Sequence, residues 1–354
     1  MKVAIAGAGV AGSYLARLLA GKEMDVTVFD KRDHATRCGC RSCGWGAPAG
    51  IRTYLAAAGL DLDAYLLAPM PVMHFDGLRA ETPLCTIDKP RLLADLLPLQ
   101  NLEHRDLAPE EAGEYDIVVD ATGIRRALLP PCRSELTLPT LQHRVRVEGY
   151  GNGPLPAGVF GNQVPGLGYV WAFPLGGDLY HVGAGGIGLD RLDRILDRFY
   201  DDLGGRYSFT PICSCRDTIR VASPYYARPF FTRKTRAGGT SRLVVGVGES
   251  IGTVAPFTGE GIAFSLESAR ILAGSLADPE RYTRKVLARF GWMRRERETL
   301  DYLLSRKGKG GPRLRDRWRF YRNARRSGIR LPLLEAFRRI GTLSQWVDAG
   351  DRRS

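Results

Sequence analysis

Residues 2–30 read KVAIAGAGVAGSYLARLLAGKEMDVTVFD, and this stretch decides the fold. KVAIAG (2–7) has the form of a short buried strand, VAGSYLARLLAG (10–21) has helical apolar spacing, and DVTVFD (25–30) is alternating and β-branched. A strand, glycine turn, helix and strand within about 30 residues open a doubly wound α/β domain. Gly7 permits the tight turn, Gly9 lets a pyrophosphate approach the backbone, and Gly12 lets the helix pack closely on the strand. The helix N-terminus adds unpaired N–H groups and the positive end of its dipole. Asp30 ends the second strand, where a carboxylate accepts from an adenosine ribose hydroxyl. The motif predicts dinucleotide binding but does not choose between NAD and FAD.

The rest of the composition is compatible with this start. The 354 residues suggest two domains or one large one, and 44% apolar with 25% charged residues is ordinary for a globular chain. No apolar run reaches the roughly 18 residues of a transmembrane helix, and no cleavable signal pattern is expected at the N-terminus. A cytoplasmic location follows as an expectation. The net charge of +13 comes almost entirely from 43 arginines against 8 lysines. That excess is either a composition bias or an attraction to phosphates. The seven cysteines (Cys38, Cys40, Cys43, Cys85, Cys132, Cys213 and Cys215) are odd in number, so a secreted disulfide framework is not expected.

Further along, residues 86–97 (TIDKPRLLADLL) predict a helix begun near Asp88, and 115–123 (YDIVVDATG) a buried strand ending in a turn. Alternating segments from about 143 to 222 predict an antiparallel sheet interrupted by a helix at 189–203. Residues 242–249 (RLVVGVGE) return to a buried strand, residues 260–276 form a strong helix, and the remainder is helical and basic. The late segment can choose a cofactor. Glu249 stands at a strand end, where an acid can hold a flavin's ribityl chain. Pro256, Phe257, Thr258, Gly259, Glu260 and Gly261 then lead into the long helix, whose N–H groups can face a pyrophosphate or flavin oxygen.

The N-terminal G-x-G-x-x-G, the internal Asp120-Ala121-Thr122-Gly123 and the late G-x-G-E…P-x-T-G-E-G-I together resemble flavoproteins of the p-hydroxybenzoate hydroxylase type. Gly168-Tyr169-Val170-Trp171-Ala172-Phe173-Pro174, followed by Val182-Gly183-Ala184-Gly185, is similar to their geranylgeranyl reductase branch. The resemblance spans roughly residues 1–275. It implies an α/β fold with a Rossmann-like FAD-binding domain of the glutathione reductase/p-hydroxybenzoate hydroxylase type, an antiparallel-sheet substrate domain and a helical C-terminal region. The FAD-binding part is expected to be discontinuous (1–50, 86–127 and 240–280), with substrate-binding parts at 51–85 and 128–239 and a basic helical region at 281–354. The implied cofactor is FAD, held by Gly7, Gly9, Gly12, Asp30, Arg91, Gly123, Gly248, Glu249, Pro256, Gly259, Gly261 and Ile262. The branch usually carries Gly-Asp where this chain has Gly248-Glu249, which adds one methylene. It also commonly places one cysteine about a dozen residues after the second strand, and Cys43-Gly44 fits that distance best.

The cluster Cys38, Cys40 and Cys43 has three readings. It is a flavin-proximal thiol favoured as thiolate by Arg37 and Arg41, a metal or iron–sulfur site completed by Cys213 or Cys215, or inert packing. Tyr169, Trp171 and Phe173 alternate and so share one strand face, either as core or as the wall of a long apolar pocket. The five histidines lack metal spacing and read as structural or surface residues. The basic tail, with seven arginines from Arg313 to Arg326 around Trp318, Phe320 and Tyr321, is a solvated face, a membrane-surface helix or an RNA contact. The leading expectation is an FAD-dependent reductase of double bonds in geranylgeranyl or other isoprenoid chains, as lipid or prenyl diphosphate, with Cys43 or a water as proton donor. NAD(P)H, a ferredoxin or a deazaflavin would supply electrons, with peripheral membrane contact and no nucleic-acid partner. A flavin monooxygenase or halogenase on the same scaffold is the alternative.

Overall fold

The computed structural model describes residues 1–31, 43–97, 101–151, 153–235, 241–306, 312–326, 328–330, 332–334 and 337. Two sheets organise them. With strands numbered along the chain, the first sheet contains β1 (Lys2–Ala6), β2 (Asp25–Phe29), β6 (Leu102–Glu103), β7 (Ile117–Asp120), β13 (Phe231–Thr235) and β14 (Ser241–Gly246). Its order is β13-β14-β7-β1-β2-β6, parallel except where β13 runs against β14. The second contains β3 (Gly46–Pro48), β4 (Leu66–Phe75), β5 (Leu78–Ile87), β8 (Thr137–Gly149), β9 (Gly158–Phe160), β10 (Gly168–Pro174), β11 (Leu179–Gly186) and β12 (Tyr207–Arg220). Its order is β12-β8-β11-β10-β9-β4-β5-β3, antiparallel apart from the β4–β9 pair. The mixed α/β class and the antiparallel second sheet are as the sequence predicts. Two strands fall across the expected boundaries. β3 pairs with β5 in the second sheet, and β13 extends the first by pairing with β14.

The parallel strands β1 and β7 are apolar on both faces, as strands covered by helices must be. Helix α1 (Val10–Leu19) packs on this sheet beside α5 (Ile262–Ala273). Helix α2 spans Arg52–Ala57, and α3 (Lys89–Leu96) begins where Asp88 accepts the Arg91 N–H, with Pro90 in its first turn. Helix α4 (Leu192–Leu203) turns Leu192, Ile195, Leu196 and Phe199 onto the outer face of the second sheet, where Val170, Ala172, Val182 and Ala184 complete a separate core. Helices α6 (Pro279–Arg289), α7 (Gly291–Ser305) and α8 (Leu314–Arg326) form the C-terminal region. No helix of the described residues is long and apolar enough to cross a membrane.

Candidate functional site

The β1–α1 turn forms one corner of the site. Gly7 has φ +107°, and a Cβ there would overlap the Ala121 carbonyl. A Cβ on Gly12 would overlap the Gly7 carbonyl, so this glycine sets the spacing between helix and strand. Gly9 differs: a Cβ there meets nothing within 4 Å. The space is open, and no side chain caps the helix start behind it. Asp30, buried at the end of β2, accepts the Ala8 N–H at 2.7 Å and so fixes the turn.

The second glycine-rich loop docks on the first. Gly248 has φ +69° and lies so close to α1 that a Cβ would sit 2.6 Å from that of Ala11. Glu249 turns back to accept the Arg220 N–H at 2.8 Å, and a Cβ on Gly123 would stand 3.1 Å from its other oxygen. Burial raises its carboxyl pKa, against the Arg220 N–H bond and charge, which lower it. Pro256 is buried; Gly261 is the N-cap of α5, and Ile262 opens that helix, buried. Gly259, at φ +66°, lies beside the Tyr169 hydroxyl. Glu260 also accepts a backbone bond from Ala263. Its Oε1 is buried without a partner, and burial pushes its carboxyl up to about 7.

The third wall is the inner face of the second sheet. Val170 and Ala172 point into the core under α4, so Tyr169, Trp171 and Phe173 point the other way. Cross-strand register lays out rows on that face: Trp171, Gly183, Gln142 and Cys215, then Phe173, His181, Arg144 and Cys213. The Trp171 indole fills the space a Gly183 side chain would need, and its Nε1–H donates to Gln142 Oε1 at 3.2 Å. Phe173 lies against Gly44 and Gly46, where a Cβ on Gly44 would be 2.6 Å from its ring. Tyr169 donates its hydroxyl to the Thr258 carbonyl. The aromatic row therefore bridges the Cys43-Gly44 segment and the Thr258–Gly261 loop.

Cys43 is a half-buried free thiol packed against the first core, whereas Cys213 is disulfide-bonded. Cys38, Cys40, Arg37 and Arg41 lie outside the described residues. No group of three or more His, Cys, Asp or Glu among the described residues could hold a metal ion. Arg91 donates to the Ala64 carbonyl at 3.1 Å and lies over the Tyr65 ring. Lys89, two residues earlier, instead acts electrostatically on Glu249 and His181.

Sequence reasoning passed over His181. It is fully buried and edge-on to Trp45 with centroids 4.5 Å apart, with a backbone interaction from Gly44 and no side-chain hydrogen-bond partner among the described residues. Burial, reinforced by the Arg144 charge, holds its pKa down to about 3, so the ring is neutral. The signal was the strand alternation itself, which puts residue 181 on the same face as Gly183 and Gly185.

A raised Glu260 pKa means that the folded chain holds this proton more tightly than the unfolded chain does. Its contribution to stability is present below the ordinary value of 4.5 and is lost as pH rises through about 7. We expect the melting temperature of Glu260→Gln to fall less than that of the parent chain across this window. Identical pH profiles in thermal unfolding would refute the assignment.

Comparisons with known proteins agree with this architecture. The family description "NAD(P)-binding Rossmann-like domain" matches residues 5–42. An uncharacterized protein of Methanocaldococcus jannaschii is 24% identical over 314 residues, covering 77% of this chain and 82% of its own length. A geranylgeranyl bacteriochlorophyll reductase-like protein from Thermoplasma acidophilum superposes with a TM-score of 0.63 at 19% identity, over 82% of this chain and 84% of the other. The flavin-dependent brominase Bmp2 gives 0.60 at 12% identity, over 99% and 98%, and the tryptophan 5-halogenase MibH 0.55 at 17%, over 83% and 71%. The chain thus has the fold shared by geranylgeranyl reductase-like proteins and flavin-dependent halogenases, with a Rossmann-like dinucleotide-binding domain at its start.

Proposed function

We propose that the chain is an FAD-dependent oxidoreductase that saturates double bonds of isoprenoid chains, carried on a lipid or a diphosphate. The fit to FAD is supported by the open space at Gly9, the uncapped start of α1, and the docking of the Gly248 loop against Ala11, which brings two glycine-rich turns to one side of the first sheet. The observation that carries the substrate class is the row of Tyr169, Trp171 and Phe173. It is directed away from the α4 core and spans from Cys43-Gly44 to the Thr258–Gly261 loop. An aromatic wall suits an alkene chain, which offers no hydrogen bonds to recognise.

Bound in its reduced form, the flavin would supply a hydride to one alkene carbon. The chain's own residues must exclude water, hold the chain against the wall, and deliver a proton to the other carbon. In this reading Cys43 Sγ–H is the donor, since its loop is the one laid on Phe173. The electron donor that restores the reduced cofactor would be NAD(P)H, a ferredoxin or a deazaflavin. A flavin-dependent halogenase or monooxygenase is the second reading, favoured by the fold that the chain shares with flavin-dependent halogenases. Oxygen uptake coupled to product would support it. Anaerobic incubation of the reduced protein with geranylgeranyl lipids, read by mass for stepwise gain of hydrogen, is the deciding experiment. No gain with any isoprenoid tested would overturn the reductase reading.

Three variants test the parts. Gly9→Val should leave the fold intact, because its side chain enters open space, but abolish the visible flavin absorbance; a full flavin load would refute the pyrophosphate site. Trp171→Ala should slow turnover of isoprenoid substrate much more than it weakens flavin binding, and equal loss of both would assign the indole to packing alone. Cys43→Ser should retain FAD while slowing alkene reduction by a factor on the order of 10²–10⁴, the range for a lost general acid. Turnover at the parent rate would exclude the thiol as proton donor.

A further inference from the structure

The C-terminal segment has two faces of different chemistry. Inward, α8 is tied to the body: Asp316 accepts from Thr299 at 3.2 Å, Asn323 donates to Glu296 at 2.7 Å, and Phe320 stacks flat on Phe257 with centroids 3.5 Å apart. Beyond the helix, Ile329 is buried and the Arg330 N–H donates to the Glu81 carbonyl at 2.8 Å. The segment therefore runs from α7 across the late glycine-rich loop to the edge of β5.

Outward, Leu314, Trp318 and Tyr321 follow helical spacing on one side, and Phe337 packs against Trp318 and Tyr321 at 6.1 and 6.3 Å. Leu314 is 73% exposed, Trp318 46% and Leu334 86%. Half of the large exposed apolar side chains among the described residues (Leu314, Trp318, Leu333 and Leu334, of eight) lie in this one segment. Exposed arginines flank them: Arg313, Arg315, Arg322 and Arg325. The helix's single acid, Asp316, is buried and turned inward.

We propose that this face is a docking surface for the headgroup region of an anionic lipid bilayer. Apolar side chains fronting a helix, Trp and Tyr at the boundary and arginines around them are the composition of interfacial helices. Each arginine near a negatively charged surface adds about 1 kcal/mol of attraction. The exposed leucines discriminate among acidic partners. RNA or DNA would use the arginines and stack on the aromatic rings, but it offers nothing to Leu314, Leu333 and Leu334. A bilayer uses all of them. Docking this way brings the Phe257 loop, against which Phe320 is stacked, to the membrane side of the molecule. The proposal needs no particular reaction at the flavin site.

The test is flotation of the full-length, FAD-loaded chain with vesicles of phosphatidylcholine alone and of phosphatidylcholine with phosphatidylglycerol. The parent chain should float with the anionic vesicles, less so at high salt, and weakly with the neutral ones. Trp318→Glu and Leu334→Glu alter exposed positions and should keep the parent melting temperature and flavin load, yet lower partitioning by about tenfold or more. Arg322→Gln with Arg325→Gln should reduce the anionic preference without removing residual binding. The proposal is overturned if the parent chain stays unbound, or if the Glu variants float equally well. It is also overturned if the patch closes a dimer that Trp318→Glu dissociates, or if RNA binds through these residues in place of vesicles.

Discussion

A single buried guanidinium joins the parts from which the site is made. Arg220 is the last residue of β12, in the second sheet, yet its side chain reaches into the loops of the first. It donates to the carbonyls of Gly123, Ile124 and Glu249 and pairs with the Glu135 carboxylate at 2.9 Å, while its own N–H binds the Glu249 side chain. Both turns, at 120–123 and 248–249, are thus held by one group. Nearby, Arg126 repeats the device on the carbonyls of Pro130, Pro229 and Ser250. A buried arginine is tolerated when its planar donors are all satisfied, and removing such a partner costs about 3–5 kcal/mol by leaving the rest uncompensated. Arg220 ties the end of β12 to the loops of the first sheet, and Arg126 ties those loops to one another.

The inner face of the second sheet depends on a different constraint, the absence of side chains. Gly183 leaves a bare spot on β11, and Trp171 lies over it with its indole N–H donated to Gln142, while Thr140 and Leu138 cover Gly185. Gly44 and Gly46 leave another, on which Phe173 rests. Close approach of this kind is possible only where no Cβ intervenes. It lets a loop that follows the first sheet lie flat on the second. Arg144 Nε, sealed there, has no hydrogen-bond partner among the described residues. An unpaired polar group in an apolar setting is unfavourable, and such groups gather where a molecule is to be bound.

The large positive charge has no single explanation in the fold. Some arginines are internal fasteners, as Arg126, Arg220 and Arg297 are, each buried and bonded to backbone carbonyls. Others stack on tyrosines, such as Arg228 and Arg294 on Tyr225 at 4.4 and 3.8 Å. Those of α8 are mostly at the surface. Composition alone merges these populations.

Much of the scaffold was legible from local pattern. Gly7, Gly9, Gly12 and Asp30 act within one strand–turn–helix unit, so their spacing in sequence is their spacing in space, and the structure finds the turn, the close packing and the acid at the strand end where the motif put them. The alternation of Tyr169, Trp171 and Phe173 likewise fixed their common face, because the period of a strand is a local property. What they face was not local. The partnership of Trp171 with Gly183 and Gln142, the seating of Phe173 on Gly44, the contact of His181 with Trp45 and the hub at Arg220 each join residues far apart in the chain. No motif records Arg220, since a guanidinium satisfied by carbonyls asks nothing of its partners' side chains. The boundary at β3 has the same cause: it pairs with β5, in a sheet whose other strands all lie further along the chain. The sequence determined the elements and which face of each is apolar; the tertiary structure decided which faces meet, because pairing across sheets is set by long-range packing that no window of residues contains.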